Sequence, residues 1–141
     1  MIQTHGRYEI DDALSRVDFD CVHGWLSNTY WSPDIARDKV EKAARHSAVV
    51  IGVYSETGEQ IGYARVVSDT VRFSYLADVY VDEAHRGKGV GRAIVRFAQE
   101  HPSLLDVRGM LLATADAHGV YEALGFTPLP SPEKWMRWAR P

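Results

Sequence analysis

Residues 79–92 read Val79-Tyr80-Val81-Asp82-Glu83-Ala84-His85-Arg86-Gly87-Lys88-Gly89-Val90-Gly91-Arg92, and the organisation of the chain follows from them. The pattern is typical of a β-strand that ends in a tight glycine-rich turn and continues into a helix. Three glycines within five residues let the backbone adopt positive φ and approach a ligand closely. A helix that begins near Val90 would point its unpaired amides and positive dipole end into the same space. We therefore predict an anion-binding turn that suits a phosphate or pyrophosphate, with added positive charge from Arg86, Lys88 and Arg92.

Three alternative roles for this turn fit its residues less well. A plain strand-to-helix connection needs one glycine and seldom three. A Walker A loop requires Ser or Thr after the Gly-Lys pair, whereas Lys88 is followed by Gly89. The dinucleotide fingerprint requires a third glycine where this chain has Arg92, and it should open the first βαβ unit of a chain.

The turn matches motif A of the GNAT superfamily of N-acetyltransferases. That motif is Arg or Gln, two residues, Gly, one residue, and Gly or Ala, which here is residues 86–91. The match extends upstream through the strand at residues 78–82, and downstream residues 116–126 resemble motif B of the same family. The chain as a whole resembles the family over roughly residues 5–140.

Length, composition and charge indicate which class of protein this chain belongs to. With 141 residues, 45% hydrophobic and 25% charged, the chain is expected to form one soluble domain, residues 1–141. A net charge of −3 gives no case for nucleic-acid binding. The single cysteine, Cys21, excludes an internal disulfide, and no signal peptide or long apolar run indicates a membrane partner. A cytoplasmic location is the default expectation.

Hydrophobic periodicity predicts the regular elements. Strands are expected over residues 8–10, 48–54, 60–67, 71–81, 107–114 and 134–138. Alternation in the strand over residues 71–81 puts Tyr75, Ala77, Val79 and Val81 on one face and Leu76, Asp78 and Tyr80 on the other. Residues 110–113 within the strand over residues 107–114 are continuously apolar, which predicts a central strand, buried on both faces and parallel to the strand before the turn. Residues 134–138 are expected to close the sheet as an edge strand.

Helices are expected over residues 18–28, from the N-cap Ser32 to Arg45, over residues 89–101, and over residues 117–124 with Asp116 as N-cap. These six strands and four helices fit the order βααββββαβαβ of the GNAT family, which has one strand more. The expected fold class is therefore α/β (α+β), with a mixed central sheet of about seven strands flanked by four helices.

The resemblance implies a coenzyme site. In the family, motif A binds the pyrophosphate of acetyl-CoA, and the strand before it contacts the pantetheine arm through backbone groups. Acetyl-CoA is then a co-substrate, and no metal is expected. The implied binding residues are Val79, Tyr80, Val81, Arg86, Gly87, Lys88, Gly89, Val90, Gly91, Arg92, Asp116 and Tyr121.

Acetyl transfer to an amine needs a donor for the departing thiolate, a donor for the oxyanion and a base for the amine. Tyr121 matches the motif B tyrosine and is the candidate for the first role. By analogy with the family, the backbone amide of Val79 is the candidate for the second. Asp78 is the candidate base, acting directly or through water, although it could equally hold the amine as a counter-ion. His118 lies three positions before Tyr121 on the same helix face, and histidine is a common proton-transfer residue, so it is also a candidate for the acceptor site.

The acceptor is expected in a cleft that combines acidic and aromatic side chains, which suits a cationic amine. Its candidate residues are Tyr30, Trp31, Phe73, Tyr75, Asp78 and His118. The pair Tyr30-Trp31 lies in a loop between two predicted helices, where aromatic side chains more often pack into the core than form a binding surface. The resemblance implies an acetyl-CoA-dependent N-acetyltransferase that acts directly on a primary amine of a small molecule or peptide. The alternative is a non-catalytic acyl-CoA-binding or sensor domain. Oligomeric state stays open, with a homodimer as one option because related enzymes are often dimers.

Overall fold

An antiparallel sheet of five strands forms the centre of the structure, a computed structural model that describes residues 1–141. The strands lie side by side in chain order: β1 (Ile2–His5), β2 (Tyr8–Asp11), β3 (Val49–Tyr54), β4 (Gln60–Ser68) and β5 (Ser74–Val81). Four helices accompany them: α1 (Phe19–Leu26), α2 (Arg37–Arg45), α3 (Val90–Glu100) and α4 (His118–Glu122). The fold is α+β. None of the helices combines the length and the apolar character that crossing a membrane requires.

Helices cover both faces of the sheet because the central strands are apolar on both sides. All six residues of β3 are buried. On one face, Ile51 and Val53 pack with Ile94 and Phe97 of α3, as the predicted apolar stripe of that helix requires. On the other face, Val50 of β3 and Tyr63 of β4 pack with α1 and α2. The sheet therefore holds the amino-terminal end of α3 in a fixed position beside the end of β5.

The expectation of about seven strands is wrong, because the sheet has five. Residues 107–114 form one parallel bridge, Tyr75 to Leu111, with hydrogen bonds of 2.9 Å from Leu76 N to Leu111 O and from Leu111 N to Ser74 O. The predicted parallel direction is confirmed. The predicted burial on both faces is wrong, since no residue from 107 to 114 is buried.

The carboxyl-terminal strand is also absent from the sheet. A 3₁₀ turn, Pro132–Lys134, replaces its beginning, and residues 127–141 are all exposed. Within the predicted strand, Trp135 has an extended backbone, with φ −95° and ψ 137°. It did not reveal that this segment has no neighbour within the chain.

Two predicted helix starts are wrong. Helix α2 begins at Arg37, because Asp34 adopts a left-handed φ of 58° and interrupts the helix predicted from Ser32. The Ser32 hydroxyl binds the Leu26 carbonyl oxygen at 2.9 Å instead of capping α2. Helix α4 begins after Ala117, so Asp116 is not its N-cap.

A β-bulge in β5 overturns the predicted alternation. Pairing with β4 shifts between Tyr63 and Arg65, so that β5 has one more residue than β4 at this point. Asp78 lies there with a φ of 57°. The bulge reverses the face of every later residue, and Leu76 therefore shares a hydrophobic cluster with Val79 and Val81.

Candidate active site

The glycine-rich turn presents a row of backbone amides at the start of α3. Gly87 and Gly89 have φ of 77° and 78°, values that L-residues with side chains rarely adopt. Gly89 is the N-cap of α3, and no side chain caps the helix. The amides of residues 87–92 donate to no acceptor within the chain, whereas Ala93 N already binds Gly89 O at 3.0 Å. We call this row of six amides the cradle. Its geometry and the helix dipole suit an anion.

The amino-terminal hairpin, β1 and β2, hydrogen-bonds to the turn that carries the cradle. His5 on β1 donates through Nε2 to the Lys88 carbonyl oxygen at 2.9 Å. Tyr8 on β2 hydrogen-bonds through its hydroxyl to Nδ1 of His85, also at 2.9 Å. These contacts span 83 and 77 positions of the chain, so no local sequence signal indicated them.

A cavity of about 880 Å³ opens beside the cradle. Ten of the twelve residues predicted to bind the coenzyme line it: Val79, Tyr80, Val81, Arg86, Gly87, Gly89, Val90, Gly91, Arg92 and Asp116. Lys88 does not line it. Arg86 folds back, with Nε donating to Val81 O at 2.9 Å. We call this cavity the coenzyme channel.

A second cavity of about 590 Å³ lies on the other side of the bulge. It contains Tyr121, the second coenzyme candidate that the channel does not include, and most of its lining is hydrophobic. Tyr30, Trp31, Val79 and Asp116 line both cavities, so the two spaces meet at these residues. We call this second cavity the acceptor pocket.

The structure brings together only some of the predicted acceptor residues. Tyr30, Trp31, Tyr75 and Asp78 line the acceptor pocket. Phe73 lies in the exposed turn before β5, where its amide binds Asp69, and His118 is exposed at the start of α4. Neither residue lines either cavity.

The loop between α1 and α2 joins the two cavities. Tyr30 accepts a hydrogen bond from Ala115 N at 3.0 Å through its hydroxyl, and its ring meets that of Trp31 edge to face at 5.0 Å. The two side chains are 60% and 44% exposed, so they form a wall of the site and not a wedge in the core.

Asp78 is held from two sides in the bulge. Its Oδ2 accepts from Arg65 Nε at 2.6 Å, and its Oδ1 accepts from Trp31 Nε1 at 2.9 Å. The Asp78 and Arg65 side chains are only 14% and 20% exposed. Each of the two carboxylate oxygens therefore already accepts a hydrogen bond from a neighbouring side chain. The geometry suits a residue that fixes the bulge better than it suits the predicted base.

Arg65 was not predicted from the sequence. A signal was present, because Arg65 is the only charged residue in the otherwise apolar run over residues 61–67. A charge inside an apolar strand needs a partner or a ligand. Arg65 pairs with Asp78, and its Nη1 also donates to Ser47 Oγ at 3.4 Å.

Tyr121 is well placed to donate a proton. Burial, and secondarily Tyr30, raises the pKa of its hydroxyl above the usual value. The hydroxyl makes no hydrogen bond within the chain, and the ring packs edge to face on Phe126 at 5.6 Å between centroids. Tyr121 is therefore a neutral O–H donor at ordinary pH, directed by packing and free to meet a ligand.

Comparison with known proteins places these features in a family. Residues 46–128 match the family model described as an acetyltransferase (GNAT) domain. A protein of Gibberella zeae whose name proposes an acetyltransferase is 30% identical, over 86% of this chain and 80% of its own length.

Solved structures resemble the whole chain. A protein of Xanthomonas campestris pv. campestris, proposed as a GNAT acetyltransferase, is 37% identical with a TM-score of 0.90, over 99% of this chain and 96% of that one. Glucosamine-6-phosphate N-acetyltransferase from Arabidopsis thaliana shares the fold, with a TM-score of 0.67 at 19% identity over 94% and 97% of the two chains.

Proposed function

Because the chain belongs to the GNAT family of acetyltransferases, we propose that it moves an acetyl group from acetyl-CoA directly to a primary amine. One observation carries the proposal: five of the six residues whose amides are unpaired at the start of α3 line a channel, and this channel meets the pocket containing Tyr121. The pyrophosphate of the coenzyme fits the cradle, since a diphosphate offers acceptor oxygens to successive N–H groups. The backbone of β5 from Val79 to Val81 would hold the pantetheine arm.

Bound acetyl-CoA supplies a thioester, and the protein supplies positioning and protons. The amine nitrogen bonds to the acetyl carbon, the carbon–sulfur bond breaks, and one proton leaves nitrogen while one arrives at sulfur. Tyr121 donates to the departing sulfur. The bulge frees a β5 amide, assigned here to Val79, to stabilise the developing oxyanion. The amine proton leaves through water, because Asp78 is already engaged by Arg65 and Trp31.

The acceptor pocket favours an amine on an apolar body. Its charged side chains are Arg65, Asp78 and Asp116, which sum to one negative charge, and fifteen of its twenty residues are hydrophobic. The aromatic rings of Tyr30, Trp31 and Tyr75 add faces on which an ammonium or a ring can rest. An arylalkylamine such as phenethylamine fits this lining better than a polyamine such as spermidine, whose several charges would be desolvated without partners.

The primary test combines coenzyme binding with turnover. Calorimetric titration is expected to detect binding of acetyl-CoA but not of ATP or NAD. A thiol-release assay with arylalkylamines, polyamines, amino acids and peptides is expected to find the fastest turnover with the first group. Binding of acetyl-CoA without turnover on any amine would instead support a non-catalytic acyl-CoA sensor.

Replacement of Tyr121 by phenylalanine separates catalysis from binding. General acid catalysis contributes ~10²–10⁴-fold, so Tyr121→Phe is expected to lower kcat at least ~100-fold while the Kd for acetyl-CoA changes little. Equal losses in kcat and coenzyme affinity would assign the tyrosine a structural role, and a thermal melt of the variant excludes unfolding as the cause.

A further inference from the structure

Asp116 is one of four residues that line both the coenzyme channel and the acceptor pocket. The other three are the aromatic residues Tyr30 and Trp31 and the apolar residue Val79. Asp116 is therefore the one carboxylate at the junction of the two cavities, where a thioester in the channel would meet an amine in the pocket.

The Asp116 side chain has no structural role within the fold. Helix α4 has Ala117 as its N-cap, and no side chain caps it. The neighbouring amides bind elsewhere: Ala115 N donates to the Tyr30 hydroxyl at 3.0 Å, and Ala117 N donates to Thr114 Oγ1 at 3.1 Å. These bonds fix the backbone on both sides of Asp116, while its carboxylate makes no hydrogen bond or ion pair within the chain.

Asp78, the other carboxylate that lines the acceptor pocket, is already paired. Its two oxygens accept from Arg65 Nε and from Trp31 Nε1. Because Arg65 and Asp78 compensate each other's charge, the net negative charge of the pocket lies at Asp116. An ammonium that enters the pocket is therefore attracted to Asp116 more strongly than to Asp78.

The coenzyme offers Asp116 no partner of opposite charge. The thioester and the pantetheine arm are uncharged, and the diphosphate is an anion that fits the cradle. Arg86 and Arg92 also line the channel, but neither forms an ion pair with Asp116. A carboxylate that loses water to a bound ligand needs a compensating hydrogen bond or a cation. A protonated primary amine supplies both, since its ammonium carries a positive charge and three N–H donors.

We infer that Asp116 binds the ammonium group of the acceptor and holds it at the junction of the two cavities. This inference rests on the proposed function, and it concerns binding alone, since the amine proton leaves through water. With its ammonium at Asp116, the amine extends its apolar body along the hydrophobic lining of the pocket, which includes Leu26, Ile35 and Val40. Asp116 then selects the charge of the acceptor, and the lining selects its body.

Asp116→Asn tests the inference, because it removes the charge and keeps the size of the side chain. Asp116 is exposed and its carboxylate has no partner within the chain, so the variant is expected to fold, which a thermal melt checks. The probe is phenethylamine, titrated by calorimetry with and without CoA, whose free thiol permits no acetyl transfer. The Kd for phenethylamine should rise ~10–100-fold, the effect of losing a hydrogen bond to a charged group.

Glu122→Gln is the matched control. Glu122 on α4 is also an exposed carboxylate without a side-chain partner, and it lines neither cavity. This variant loses the same charge as Asp116→Asn, but solvent and salt screen a charge outside the pocket, so the Kd for phenethylamine should change little. A second control uses 2-phenylethanol, which has the same apolar body without the ammonium, and its Kd should be equal in the unmodified protein and in Asp116→Asn.

Four results would overturn the inference. The unmodified protein could fail to bind phenethylamine, or Asp116→Asn could bind it with unchanged affinity. Asp116→Asn could lose affinity for CoA and not for phenethylamine, which would assign the carboxylate to the coenzyme. Glu122→Gln could raise the Kd as much as Asp116→Asn, which would assign the effect to overall charge. Failure of the proposed function is a separate result, in which acetyl-CoA does not bind or no amine is turned over in the thiol-release assay.

Discussion

Replacing Gly89 by alanine is expected to destabilise the cradle for two separable reasons. The left-handed backbone costs an L-residue ~1–2 kcal/mol, and the lower entropy of unfolded alanine offsets ~0.4–1 kcal/mol of this, so the net cost is about 1 kcal/mol. An added Cβ would also lie 3.2 Å from Nε2 of His5. His5 must then shift by a few tenths of an ångström, which weakens its 2.9 Å hydrogen bond to the Lys88 carbonyl oxygen.

Gly87 provides the control, because its φ of 77° almost equals that of Gly89 and an added Cβ there meets nothing within 4 Å. Gly87→Ala should therefore cost only the backbone term, about 1 kcal/mol. Gly89→Ala should cost more, up to about 2 kcal/mol, since a hydrogen bond such as that of His5 contributes ~0.5–1.5 kcal/mol and is weakened here. Urea unfolding followed by circular dichroism measures both free energies.

Comparing Gly89→Ala with Gly87→Ala in a His5→Ala background isolates the effect of the contact between the added Cβ and the imidazole of His5. Without the imidazole, Gly89→Ala should cost no more than Gly87→Ala, about 1 kcal/mol. Equal costs for the two alanine variants in the unmodified protein would refute the reasoning. The reasoning would also be refuted if the two alanine variants still differed in unfolding free energy after His5 is replaced by alanine.

Three further predictions concern Asp78, Tyr121 and Asp12. Asp78→Ala leaves the largely buried Arg65 guanidinium without its carboxylate, and urea unfolding should show a loss of about 2 kcal/mol, below the full buried-pair value because both groups are partly exposed. Because burial raises the pKa of Tyr121, the hydroxyl stays protonated at neutral pH, and the kcat profile should show no loss from its ionisation until the pH exceeds ~10. Burial raises the pKa of Asp12, but hydrogen bonds from the terminal ammonium and from His101 outweigh it and leave the pKa below 3.8. The stability from Asp12 is present above that pH and lost as the pH falls through the lowered pKa, so Asp12→Asn should flatten the acid limb of unfolding.

The coenzyme side of the site could be predicted from the sequence because its causes are local. Glycine at positions 87 and 89 satisfies positive φ with no help from the rest of the fold. The apolar stripe of α3 fixes which face of that helix is buried, and hence where its amino-terminal amides point. The braces from His5 and Tyr8 are the part that could not be predicted, since strand β1 is short and mostly exposed.

The prediction of two further sheet strands was wrong for a different physical reason. Residues 107–114 and 134–138 have the apolar character of strands, and pattern alone predicts that a segment will pair. It does not identify the partner. In this chain the first segment has one neighbour where two were expected, and the second has none. An apolar strand pattern is equally consistent with burial inside one chain and with burial between two.

The acceptor side depends on long-range contacts, and for this reason the sequence did not reveal the partners of Asp78. Asp78 adopts positive φ without being glycine, a conformation that costs ~1–3 kcal/mol unless the surroundings enforce it. Its two carboxylate bonds, to Arg65 on β4 and Trp31 in the α1–α2 loop, supply that enforcement from 13 and 47 positions away. The position of Asp78 in the sequence therefore indicates a base. Its hydrogen-bond partners in the structure indicate a residue that holds the bulge in place. Under the proposed function, Arg65, Asp78 and Trp31 therefore act together by holding the bulge beside Val79, whose amide is the proposed oxyanion donor.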